Sequence, residues 1–163
     1  VNIEPKVVTI SEKKLLGMRI RNSIAQDKTS DLWQSFMPRR KEIANAVGSD
    51  LYSLRIYDSP SYFTNFSPSA AFDKWALAEV ADFDRVPSGM ETLVLPGGLY
   101  AVFPYKGLPS AAGETYRHIY ATWLPSSQYI LDDRPHFEIL GEKYKNNDPS
   151  SEEDIYIPIK PKA

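Results

Sequence analysis

A glutamate inside an apolar strand is costly to leave without a partner, and Glu138 stands in one, between Phe137 and Ile139. Glu142 follows four residues on and shares its face if the strand is regular. Glu79 falls in a second stripe, Trp75/Leu77/Glu79. Two readings stay open for each carboxylate. It lies on the solvated face of an antiparallel sheet, or it faces an aromatic-lined cavity and attracts a cation. Rings for such a cavity are abundant: ten tyrosines, seven phenylalanines and three tryptophans. Their electron-rich faces hold planar or cationic ligands. The stripe Tyr116/Tyr120/Trp123 sits at helical spacing, which marks a core more often than a ligand box.

Other chemistries lack their residues. There is no cysteine, hence no disulfide, thiolate nucleophile or cysteine metal site. Only His118 and His136 are present, too few for a multi-histidine metal centre and outside any triad context. Gly97-Gly98 precedes a strand, whereas a phosphate loop must open a helix. No metal or cofactor is expected. A formal charge of −2, from 19 basic and 21 acidic residues, leaves no electrostatic footprint for nucleic acid or an anionic membrane. No apolar run is long enough to span a bilayer, and the first residues lack the apolar core of a signal peptide. A cytoplasmic location is expected.

The elements that must position these residues follow from periodicity. Residues 2–10 and 15–21 read as strands, the second with Leu16, Met18 and Ile20 on one face. Leu32, Phe36, Ile43 and Val47 recur at helical spacing after Thr29-Ser30-Asp31, with Pro38 interrupting and Gly48 as the C-cap. Strands 51–58 and 72–83 flank a polar, aromatic loop over 59–71. The second half repeats the order: strands 90–95 and 99–105, a helix over 111–124 stopped by Pro125, then strands 135–144 and 154–159. The pattern predicts one α+β domain of two similar halves, about 1–84 and 85–163, with a helix from each half on a mainly antiparallel sheet.

This order of segments resembles the GyrI-like domain family, the effector-binding domain of AraC- and MerR-type multidrug regulators. The resemblance is carried by Glu12 to Met18, Leu32 to Arg39, Tyr52 to Tyr57 and Ala78 to Glu91. It continues through Pro96 to Gly107, Ile119 to Pro125, Arg134 to Glu138 and Ile155 to Ile159, and so spans essentially the whole chain. It implies two βαββ units related by a pseudo-twofold axis. Between them it implies a cleft for lipophilic, often cationic and aromatic compounds. It also implies a cleft glutamate in a Pro-x-Phe-Glu segment, which Glu138 matches, with Glu142 in Glu142-Lys143-Tyr144 as the alternative register. Strand parity and helix spacing, rather than the family motif, suggest Trp75, Tyr105, Tyr120 and Trp123 as walls, and Tyr62, Phe63 and Phe66 as a lid.

The expected function is that of a sensor or sequestering protein for lipophilic cations. A ligand cation would supply the countercharge that a buried glutamate lacks. The alternative is a hydrolase opening cyclopropane-bearing natural products, with Glu138 or Glu79 as general base. A lesser alternative is a gyrase-inhibitor-like interaction protein. Val1 stands almost at the first strand, so a DNA-binding domain is expected to be fused or associated if the chain serves a regulator, and a homodimer is a further expected partner.

Overall fold

Residues 15–17, 51–55 and 74–78 are buried in unbroken runs, and since successive side chains of a strand point to opposite faces, each stretch has partners on both of its faces. Among the described residues nine strands form: β1 (Lys6–Ile10), β2 (Lys13–Asn22), β3 (Ala46–Tyr57), β4 (Phe72–Val80) and β5 (Glu91–Leu95), then β6 (Gly98–Lys106), β7 (Tyr129–Leu131), β8 (His136–Leu140) and β9 (Glu152–Pro161). The computed structural model describes residues 3–59, 61–146 and 148–162, so Asn2, at the start of the first expected strand, lies outside them. Every strand pairing is antiparallel. The order is β1-β6-β9-β8-β3-β4-β2-β5, with β7 added to β9.

The first helix is shorter than its apolar periodicity predicts. Helix α1 (Thr29–Phe36) gives way to a 3-10 turn, Met37–Glu42, at Pro38, whose ring removes a backbone donor. Val47 belongs to β3 and is exposed. Gly48 therefore caps no helix. It takes a positive φ of 71° where β3 shifts register between Ala46 and Leu51. Inside the expected loop, Ser61–Thr64 forms a single helical turn, α2. The second helical segment runs from α3 (Gly113–Arg117) through a π-helical turn, His118–Trp123, into α4 (Leu124–Ser126).

On one face of the sheet, α1 buries Leu32 and Phe36 against Leu16, Ala76 and Ala78. On the same face, Ile119 of the second helical segment packs with Phe103, Ile155 and Ile157. Among the described residues no helix lies on the opposite face, yet Leu15, Leu54, Leu77, Leu95, Tyr100 and Phe137 are fully buried there. The sheet must curl on itself to do this, and Val8 and Ile10 of β1 and Leu93 of β5 pack onto that cluster. Gly17 permits the tight seam between β2 and β4: a Cβ there would stand 1.9 Å from the Ala76 carbonyl oxygen. Among the described residues no helix is long and apolar enough to cross a membrane.

Candidate ligand-binding site

The two helical segments cover the flanks of their face and leave its middle to side chains of β8, β3 and β4. Register decides which. Arg55 lies opposite Lys74 on β4 and His136 on β8, and Ser53 lies opposite Glu138. Side chains two apart on a strand share a face, so Arg55, Tyr57, Lys74, His136 and Glu138 all point between the helices.

Arg55 and Glu138 form a two-pronged ion pair, with Nη1 to Oε1 at 2.8 Å and Nη2 to Oε2 at 2.5 Å. Their side chains are only 11% and 8% exposed. Burial pushes the Glu138 carboxyl upward, but the charge and hydrogen bonds of Arg55 overcome it and hold the group below its ordinary value. Arg55 Nε also donates to the Tyr57 hydroxyl at 3.1 Å. His136 Nδ1 meets the Tyr120 hydroxyl at 3.1 Å. Burial, with the charges of Arg55 and Arg134, keeps that imidazole neutral.

Above this floor α2 lays down two rings. Phe63 stacks on His136 at 5.2 Å and on Tyr120 at 5.2 Å. Tyr62 packs on Tyr57 at 4.4 Å. A cavity of about 250 Å³ adjoins the lid, sharing Tyr57, Phe63 and His136 and continuing to Ile56, Leu93 and Arg134.

Two further ionisable groups lie within reach of the charges of Arg55 and Glu138. Lys74 is 7% exposed, and burial, aided by the charge of Arg55, lowers its ammonium to about 8. Among the described residues it makes no ion pair. Glu153, half-buried on β9, is pushed up to about 7 by burial and by the charge of Glu138.

Of the residues singled out in the sequence, Glu138, Tyr62, Phe63 and Tyr120 come together here. Phe66 is exposed and reaches only the edge of Tyr62. Tyr105 is buried on β6, its hydroxyl donating to the Leu108 carbonyl. Trp123 packs edge-on against Phe103 in the core under the second helical segment. Trp75 and Glu79 point to the other face, because strand parity that turns Lys74 toward the helices turns its odd-numbered neighbours away. There Trp75 lies under the Arg19 guanidinium, and Glu79 meets Lys13 at 3.8 Å and the Tyr52 hydroxyl at 3.4 Å. Glu142 is exposed, beyond the end of β8. Sequence reasoning missed Arg55, Tyr57, Lys74, His136 and Glu153. Arg55 carried a usable signal: it stands between Leu54 and Ile56 just as Glu138 stands between Phe137 and Ile139.

Comparison with known proteins agrees with this architecture. The transcriptional regulator BrlR of Pseudomonas aeruginosa is 29% identical over 160 residues, which is 97% of this chain and 56% of that protein. The chain thus spans little more than half of that relative's length. The EcmrR C-terminal domain superposes with a TM-score of 0.73 at 15% identity, over 99% of each chain. SAV2435 bound to tetraphenylphosphonium superposes with a TM-score of 0.70 at 16% identity, over 97% of this chain and 94% of that one. Identities this low speak for the fold alone. The family described as the GyrI-like small molecule binding domain matches residues 3–160, and the chain belongs to that family.

Proposed function

We propose that the domain takes up lipophilic aromatic small molecules in the cleft between α1 and the second helical segment. It would act as the effector-sensing part of a transcription regulator or as a free-standing sequestering protein. One observation carries this: a buried ion pair, Arg55–Glu138, is roofed by rings contributed from a four-residue turn. Convergent polar groups under aromatic walls are the composition of a ligand pocket. A roof held by ring stacking, on a helix too short to be stable by itself, lifts at small cost. Swinging Phe63 away joins the cleft to the adjoining cavity, whose lining it already shares.

The arrangement also supports reading residues 1–84 and 85–163 as pseudo-twofold halves. Exchanging β1, β2, β3 and β4 for β5, β6, β8 and β9 returns the same strand order.

A lipophilic cation, the class suggested by the family resemblance and by tetraphenylphosphonium on SAV2435, faces a condition in this chain. The charge of Glu138 is already met by Arg55, so the cation has to displace the guanidinium. The same pairing removes Glu138 as the base of a hydrolase. Calorimetric titration with tetraphenylphosphonium tests the reading. Arg55→Gln bares Glu138 and should raise affinity about tenfold, and the double variant with Glu138→Gln should lose the gain. No binding of tetraphenylphosphonium by Arg55→Gln, with the fold intact, would count against the cleft as a cation site.

A further inference from the structure

A buried donor without an acceptor is rare and costly, and Arg134 carries one at the wall of the cavity beside Phe63. Its guanidinium is held firmly elsewhere. Nε donates to Asp132 Oδ2 at 2.7 Å, and Nη2 donates to the Leu99 and Ile159 carbonyls at 2.6 and 3.1 Å. Cζ stands over the Tyr100 ring, 4.7 Å from its centre. Nη1, with its two N–H groups, is buried and has no hydrogen-bond partner among the described residues. It lies against Gly98, where a Cβ would stand 2.7 Å away, and Gly98 follows the cavity-lining Pro96 by two residues. Nη1 thus sits at the end of the cavity that Pro96 and Arg134 wall off.

That end is balanced in charge. Burial pushes the Asp132 carboxyl upward, but hydrogen bonds from Arg134 and the Asp133 amide hold it below its ordinary value. Lys160 on β9 adds a second positive charge felt by Asp132, and Asp133 adds a second carboxylate on the cavity wall. Most of the remaining lining is apolar or aromatic. Ile56 and Leu93 reach it from the cluster on the face opposite the helices, and Tyr57 and Phe63 from the cleft.

We propose that the ligand of this cavity is an uncharged aromatic carbonyl compound, whose oxygen accepts from Arg134 Nη1 while its rings lie between Ile56, Leu93 and Phe63. This rests on the cavity being part of the small-molecule site, and it makes Arg134 the residue that selects among lipophilic ligands. A guanidinium already fixed by three hydrogen bonds loses little freedom when it donates a fourth. A neutral oxygen gains a charge-assisted hydrogen bond there, whereas an ion of either sign meets a like charge.

The test uses four tricyclic probes of nearly one shape: fluorenone, fluorene, fluorenylmethylammonium and fluorene carboxylate. Titrated into the wild-type domain, fluorenone should bind about tenfold more tightly than fluorene, and both ions more weakly than fluorenone. The infrared carbonyl stretch of bound, isotope-labelled fluorenone should lie below its value in hexane, the signature of an accepted hydrogen bond. Arg134→Lys keeps a charge for Asp132 but has no second nitrogen to lay against Gly98. In that variant fluorenone should fall to the affinity of fluorene, fluorene should stay within about twofold, and the stretch should return toward its hexane value. If Arg134→Lys does not fold, the wild-type affinities and stretch decide alone. Equal binding of fluorenone and fluorene, an unshifted stretch, or an advantage that survives Arg134→Lys overturns the carbonyl ligand, while binding of fluorene leaves the cavity a lipophilic site. Tighter binding of either ion than of fluorenone overturns the uncharged class. Absence of binding by all four overturns the small-molecule reading of the cavity as well.

Discussion

At the scale of single residues the cleft is a set of charges whose values depend on one another. Removing one partner of a buried pair leaves the other uncompensated, so Glu138→Leu alone should cost about 3–5 kcal/mol. Joint replacement by Arg55→Met and Glu138→Leu should recover most of that loss, since neither charge then remains to be buried; denaturant unfolding of the two singles and the double decides it. Two pH windows follow from the other pair. Glu153 ionises near 4.5 in the unfolded chain but only near 7 in the fold, so the folded state loses stability as pH rises between those values. Lys74 releases its proton near 8 in the fold but holds it to 10.5 when unfolded, so stability returns as pH climbs through that range. Melting curves against pH should therefore lose the first slope in Glu153→Gln and the second in Lys74→Met. Glu138 was legible from its apolar neighbours Phe137 and Ile139. Its partner was not, because a residue 83 positions away is brought opposite only by the β3–β8 register.

Secondary-structure elements decide which of those charges can be reached. Helix α2 is one turn, and Phe63 on it covers both His136 and Tyr120. Phe63→Ala should cost little stability, about 1 kcal/mol for a half-buried ring. It should speed hydrogen exchange of amides 61–64 and raise the His136 pKa as water reaches the imidazole. Exchange mass spectrometry and imidazole resonances would show both effects, and an unmoved histidine would mean that Phe63 is not the cover. The strands behave differently. Gly17→Ala puts a methyl into the Ala76 carbonyl, which belongs to backbone and cannot rotate away. It should therefore destabilise the β2–β4 seam by more than an ordinary core change, about 3 kcal/mol or above. Sequence periodicity found most strands and both helical regions because alternation and helical spacing are local signals. It misassigned 43–48, where Ile43 and Val47 extend a helical pattern that Pro38 has already broken, and it was blind to a helix as short as α2. Trp75 was placed on the wrong face for a related reason. β4 is buried on both faces, so parity alone does not say which stripe looks into the cleft.

For the whole molecule, a mainly antiparallel sheet with a few helices was readable but the closure of the sheet was not. Strand β1 pairs with β6 and β5 pairs with β2, so each half of the chain has an edge strand seated in the other. Nothing local in residues 6–10 specifies a partner at 98–102; the pairing follows from which arrangement buries the face without helices. That inner cluster is shared. Leu15, Leu54 and Leu77 come from the first half, and Leu95, Tyr100 and Phe137 from the second. Each side chain is worth about 1.5–3 kcal/mol when fully buried, and neither half can bury its own without the other's strands. The floor of the cleft is divided likewise, with Arg55 and Lys74 on one side of the β3–β8 junction and His136 and Glu138 on the other. The fragments 1–84 and 85–163, prepared separately, should each lack dispersed amide resonances. Mixed at equal concentration they should regain the spectrum of the intact chain. If either fragment gave a dispersed spectrum by itself, the halves would be autonomous units and the cleft an interface between two folded bodies. If mixing restores the fold, the ion pair at the cleft floor exists only when both halves are present, and site and sheet assemble in one step.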